Sequence, residues 1–182
     1  MGWEIDPAHT MVEFGVRHML VSTVKGRFTK FSGTIHMDED NPTQSRVEAS
    51  IDVSSIDTGD EQRDAHLRSP DFFDVARFPN ITFKSRRIEG LEGDAYRVVG
   101  DLTIRDVTRE VVLDVTYAGK AKDPWGNLRA GFTAETTINR KDFGLTWNVP
   151  LEAGGWLVGD KVRIMLEVQA VQKAEVPLSA SA

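Results

Sequence analysis

The feature that most constrains this chain is a period of two in its hydrophobicity. From Arg46 to Val53, the residues Val47, Ala49, Ile51 and Val53 alternate with Arg46, Glu48, Ser50 and Asp52. Successive side chains of a strand point to opposite faces, so strict alternation means one dry face and one wet face. Lys161–Val171 repeats the pattern, and Tyr96–Ile104, Val111–Tyr117 and Leu128–Ile138 follow it with mostly polar neighbours. With Thr10–Arg17, Arg27–Asp38 and Asn80–Ile88, this predicts about eight strands, for which antiparallel pairing is the natural arrangement. Asn41-Pro42, Glu89–Asp94, Asp123–Asn127 and Gly154–Asp160 separate the runs as hairpin loops do. One segment reads as helix. Asp60–Ser69 has an acidic first turn and stops at Pro70. On it, Asp64 and Arg68 stand four apart and are expected to form a surface ion pair.

Eight one-sided strands bury their dry faces in a sandwich or a closed barrel. Runs of about ten residues favour the barrel, which also removes exposed edges. Such an interior is either packed solid or holds one small ligand. The 182 residues predict one domain over 1–172, with a loosely held tail at 173–182. With 22 basic against 28 acidic residues, the net charge is −6, and no basic block is present, so no nucleic-acid partner is expected. The absence of cysteine excludes disulfides and thiolate chemistry. No apolar run is long enough for a transmembrane helix, so membrane contact is expected to be transient at most. The opening Met-Gly-Trp-Glu-Ile-Asp-Pro has no leader pattern, which gives a cytoplasmic expectation, or a periplasmic or secreted one if the start was trimmed.

Motifs that carry chemistry are few. His9, His18, His36 and His66 are dispersed without metal-ligand spacing, so no metal is expected. Asp64 and His66 are two apart and do not face each other on a helix, whereas Arg63 and His66 do. That pair is either structural or a polar contact for a ligand head group at a barrel opening. His18, at the end of an apolar strand, either lines a barrel mouth or caps it. No nucleophile elbow, Walker loop or dinucleotide fingerprint occurs, and no catalytic residue is assigned. Phe28 with Phe31, Phe72 with Phe73, and Phe143 with Trp147 are core packing or the walls of an apolar cavity.

A series of motifs appears in order: Trp3–Thr10, Phe14…His18, Gly26-Arg27-Phe28…Phe31-Ser32-Gly33, Ser55–Thr58, Arg63–Leu67, Asp71–Asp74, Phe78-Pro79 and Phe83–Ser85. Gly100–Ile104, Asn139–Gly144 and Val158–Val162 complete it. Together they resemble the YceI-like family of lipocalin-like proteins over roughly residues 3–171. The resemblance implies an all-β, extended eight-stranded antiparallel barrel with one short helix near 60–69. It also implies a non-catalytic carrier, with no cofactor, whose channel holds a polyisoprenoid or quinone-like lipid, and a homodimer. Inward-facing positions carried over as ligand contacts are Phe14, Val16, His18, Phe28, Phe31 and Ile51 on the first strands. Arg63, His66, Phe72 and Phe73 follow on and after the helix, then Phe83, Leu102, Leu113 and Phe132 on later strands, with Phe143 and Trp147 beyond them. Where the family has Gly after Leu102-Thr103-Ile104, this chain has Arg105-Asp106, and Asp106 is expected to take the left-handed position. Two alternatives stand beside the carrier. One is an enzyme acting on a small hydrophobic substrate through His18, Arg63 or His66, and the other is a solid-core barrel that works as an interaction module.

Overall fold

The computed structural model describes residues 2–152 and 154–173. Eleven strands form one antiparallel sheet: β1 (Gly2–Ile5), β2 (Met11–His18), β3 (Ser22–Phe28), β4 (Phe31–His36), β5 (Arg46–Asp52), β6 (Ile56–Asp57), β7 (Asn80–Gly90), β8 (Ala95–Ile104), β9 (Val107–Lys122), β10 (Leu128–Asn139) and β11 (Val158–Lys173). These segments make eight rows. Strands β1 and β2 lie in line along β11, running from Gly2 opposite Lys173 to His18 opposite Val158. Strands β4 and β3 continue each other beside that row, and β5 and β6 do the same beside them. Because β1 pairs with both β11 and β4, the sheet closes on itself as an eight-stranded antiparallel barrel.

The expected single strand Arg27–Asp38 is two. On β3 the inward positions are even (Val24, Phe28), and on β4 they are odd (Phe31, Ile35). A one-residue slip at Thr29-Lys30 separates them, and the Ser55 hydroxyl accepts from both freed amides at 3.1 and 3.0 Å. The hydroxyl thus replaces the ladder partners that the slip removes.

Helix α1 (Glu61–Arg68) begins where the sequence placed it. The Asp60 side chain accepts from the amides of Gln62 and Arg63, as an N-cap should. The helix packs against β6 on the side where that strand has no further ladder partner. Asp64 does not form the expected pair with Arg68. It turns inward, is buried, and accepts from the Thr58 amide at 2.9 Å and the Thr58 hydroxyl at 2.5 Å. Arg68 instead donates to the carbonyls of Ser54 and Ile56. Both side chains satisfy backbone beside α1, where no ladder does.

The β8–β9 turn survives, but Arg105 rather than Asp106 takes the left-handed conformation, with φ of 56°. Its guanidinium lies 5.5 Å from the Phe78 ring, beside that of Arg77 at 5.0 Å. That stacking offsets part of the backbone cost.

Two apolar clusters mark the ends of the barrel. One gathers Phe28, Val53, Ile56, Ile104, Ile138, Phe143 and Leu145 near α1. The other joins Trp3, Ile35, Ala130 and Ala170 where β1 closes the ring. Of the predicted tail 173–182, Lys173 is the last residue of β11, and the rest lies outside the described residues. Among the described residues, no helix is long and apolar enough to cross a membrane.

Candidate functional site

The inward faces of the strands do not meet. They enclose a cavity of about 860 Å³ that runs along the barrel. This volume lies within the range of small-molecule sites and excludes a solid-core barrel. The walls are supplied by the alternation itself: Val12, Phe14 and Val16 from β2, Val47, Ala49 and Ile51 from β5, Val162, Ile164, Leu166 and Val168 from β11. Phe14 packs against Phe28 at 5.5 Å between centroids, and Phe28 meets Phe73 edge-on at 6.2 Å.

Polar groups gather at the two ends. At the α1 end, His66 is held edge-on between Trp147 at 4.6 Å and Phe72 at 5.1 Å. One His66 ring nitrogen, Nε2, lies 2.9 Å from Asp71 Oδ2. Arg63 donates from Nε to the Thr58 hydroxyl at 2.8 Å and from Nη2 to the Thr58 carbonyl at 2.7 Å. His18 lines the cavity at the same end, where β2 meets Val158.

Beneath them sits Arg140, 3% exposed. Its Nε donates to Gly159 O at 2.8 Å, Nη1 to Leu145 O and Trp147 O at 2.6 and 3.0 Å, and Nη2 to Val158 O at 3.3 Å. Asp160, half-exposed, is 3.8 Å from Nη2. Burial pulls the guanidinium down from its ordinary value, and Asp160 opposes this. The fork thus ties the segment between β10 and β11 to the barrel and fixes Trp147 over the cavity.

At the opposite end, Tyr117 stacks on Phe132 with centroids 5.3 Å apart, and burial pushes its phenol up. Lys120 pairs with Glu39 across this opening, a hydrogen bond that raises the lysine above its ordinary value. Asp94 and Tyr96 also line it.

Every residue selected from the sequence lines the cavity except Phe143. Phe143 ends the short 3-10 turn Arg140–Phe143 and is 2% exposed in the core cluster outside the cavity wall. The turn directs it away from Trp147, so the two aromatics that bracket Gly144–Thr146 do not share a face. Sequence reasoning missed Arg140, which is visible only as part of the Asn139–Gly144 motif. It also missed the Tyr117, Lys120 and Glu39 end, whose members lie far apart in the chain. Among the described residues, no three His, Asp or Glu side chains gather as a metal site would require.

A closed antiparallel barrel around one elongated, mostly apolar cavity, with most of its charged groups toward the ends, defines a lipocalin-like architecture. Residues 3–170 match the model of the YceI-like domain, and the chain belongs to that family. A UPF0312 protein of Pectobacterium atrosepticum is 44% identical over 138 residues, which cover 76% of this chain and 71% of the relative. Among solved structures, BcnA of Burkholderia cenocepacia superposes with a TM-score of 0.78 at 28% identity, covering 91% of this chain and 98% of BcnA. A polyisoprenoid-binding domain from Saccharophagus degradans has the same fold, with a TM-score of 0.68 at 14% identity, covering 94% of this chain and 98% of that one.

Proposed function

We propose that this protein is a carrier that holds one polyisoprenoid or similar amphipathic lipid in the barrel, chain inside and polar head at an opening. The observation that carries this reading is the 860 Å³ cavity, whose length is walled mostly by aliphatic and aromatic side chains and whose charged groups gather toward its ends. The polyisoprenoid-binding domain of Saccharophagus degradans, which shares this fold, supports the ligand class. Each buried methylene gains about 0.8 kcal/mol relative to water. A lipid drawn from a bilayer gains much less, so the polar ends set the choice of head group. The test is native mass spectrometry of protein never exposed to detergent, followed by organic extraction. A stoichiometric apolar lipid is expected, and an empty barrel after expression in lipid-rich cells would sink the reading.

A second reading, an enzyme acting on a small hydrophobic substrate, has one observation in its favour. His66, on the cavity wall, is hydrogen-bonded to the Asp71 carboxylate. The neighbouring hydroxyl is already engaged, because Ser69 Oγ donates to the His66 carbonyl at 2.6 Å at the helix terminus. With that hydroxyl engaged, the pair serves better to hold the imidazole between Phe72 and Trp147. Turnover of an extracted lipid that disappears in His66→Gln would favour the enzyme.

A further inference from the structure

The β2–β3 hairpin extends beyond the cavity and has an unusual tip. Met19, Leu20 and Val21 are 47, 60 and 80% exposed, three large apolar side chains in a row. Across from them, Trp156 and Val149 are also exposed. The two segments form one patch. The Met19 amide donates to Leu157 O at 2.8 Å, Arg17 Nη2 donates to Leu20 O at 2.9 Å, and a Cβ on Gly155 would come within 2.8 Å of Leu20 Cδ1. Met19 and Leu20 both have left-handed backbone, with φ of 54° and 65°. That conformation favours Gly or Asn, so the tip keeps bulky apolar groups in water at a conformational cost.

The charge around this tip runs against that of the whole chain. Between Glu13 and Asp38 there is no acidic residue, while Arg17, Lys25, Arg27 and Lys30 are present, in a chain of net charge −6. Lys161 and Arg163 stand on the adjoining β11, where Arg163 lies opposite Gly15. Arg27 faces Asp57, and Arg163 faces Glu135. Lys25 and Lys161 have no carboxylate partner among the described residues. The acids nearest in the chain are Glu13 on β2, opposite Arg27, Asp160, paired with Lys141, and Glu152 on the Trp156 loop. The patch also borders the cavity, since His18, Leu157 and Val158 belong to both.

We propose that the Met19–Val21 tip and the Trp156 loop dock this end of the barrel onto an anionic phospholipid surface. The apolar side chains enter the head-group boundary, where Trp is favoured, and Arg17, Lys25 and Lys161 face the phosphates. A second copy fits less well. A two-fold contact would set the same basic residues against each other, whereas an anionic bilayer neutralises them. The inference deepens the carrier reading by placing lipid exchange at this opening.

Flotation of the full chain with vesicles tests it, using phosphatidylcholine alone and phosphatidylcholine with about one-third phosphatidylglycerol. Binding to the anionic vesicles should exceed binding to the neutral ones by about tenfold and fall with added salt. The double variant Leu20→Asp with Val21→Asp should lose about tenfold or more. Its fold is not at risk, because both side chains are exposed and Asp takes left-handed backbone more readily than Leu. Lys25→Gln and Lys161→Gln should each lose roughly fivefold on anionic vesicles only. Trp125→Ser, in the β9–β10 turn at the other end of the barrel, should change nothing. Equal flotation of the wild type and the double variant would overturn the proposal, as would no flotation at all. A dimer that dissociates in the double variant, without vesicle binding, would assign the patch to a second copy and overturn it too. Lipid content measured on the same samples separates the two claims. Co-purified lipid without docking leaves the carrier standing, and docking by an empty barrel leaves the surface standing alone.

Discussion

The two ends of the barrel are closed by opposite means. At the α1 end, charged side chains are buried or half-buried and spend their hydrogen bonds largely on backbone. Arg140 holds four carbonyls, Asp64 holds the Thr58 amide and hydroxyl, and Arg68 and Arg63 each reach carbonyls. At the β9–β10 end, charged side chains pair with each other: Lys120 with Glu39, and Arg129 with Asp123 and Asp6, both at 2.8 Å. Charge used on buried backbone is costly to remove, because the carbonyls left behind lose both protein and water partners. Charge used on exposed charge, as in Lys120–Glu39, costs little, because water replaces either partner, whereas the Arg129 pairs are themselves largely covered. The α1 end should therefore be the rigid one and the other the tolerant one.

The sharpest way to break this contrast is at Arg140. Replacing it with Met keeps much of the volume and leaves the carbonyls of Leu145, Trp147, Val158 and Gly159 without their donor. A loss of about 3 kcal/mol or more is expected in urea denaturation. Arg140→Lys should recover less than half, since an ammonium lacks the planar fork that spans both sides of the 144–159 segment. A loss below about 1 kcal/mol would mean that water satisfies these carbonyls and that the α1 end is not sealed.

Why Arg140 was hidden in the sequence, while the barrel was not, follows from how each signal is carried. The strands announce themselves through alternation, a local pattern, so Arg46–Val53 and Lys161–Val171 map onto β5 and β11 almost residue for residue. The helix announces itself through Asp60 and Pro70. The β2–β3 hairpin has no such mark, because its two left-handed positions carry Met19 and Leu20 instead of Gly, Asn or Asp. The slip at Thr29-Lys30 is visible afterwards in the three-residue spacing from Phe28 to Phe31, which no continuous strand can place on one face. Arg140 has a role only through carbonyls five to nineteen residues away, and carbonyls are sequence-independent. Phe143 misled for the same reason: the turn that Arg140 anchors decides where it points.

The next largest effect is expected at Asp64. Asp64→Ala strips the Thr58 amide and hydroxyl of their acceptor and should cost about 2 kcal/mol. Hydrogen exchange of the α1 amides should speed up, while those of β9 and β10 stay protected. Equal acceleration at both ends would show that the helix is not a separate closure.

Acid should act on the opposite end. The Arg129 guanidinium beside Asp123 holds its carboxyl down to about 2, and the same arginine, with His9, holds Asp6 below its usual value. A carboxyl lowered in the folded state stabilises the fold above the ordinary carboxylate range and loses that contribution as pH falls through its folded value. Thermal midpoints should therefore drop between about pH 4 and pH 2. Asp123→Asn should flatten that limb. A wild-type limb that is flat over this window would remove the arginine network from the account.

The smallest effect is expected at Lys120. Its partner Glu39 is about half exposed and the ammonium about a third, so the pair exchanges readily with water and salt. Lys120→Gln should leave the denaturation midpoint within error, despite the cross-barrel position of the pair. The variant is informative for another reason, because Lys120 and Glu39 both line the cavity at this end. A lipid that leaves past this pair should leave faster when it is broken. A lipid that leaves at the Met19–Val21 end should not respond. Transfer of a fluorescent polyisoprenoid from the loaded protein to anionic vesicles decides between them. Unchanged transfer in Lys120→Gln, with slowed transfer in the Leu20→Asp, Val21→Asp variant, is the expected result. The reverse would exchange the roles of the two ends: the tolerant end would be the door, and the rigid end only its frame.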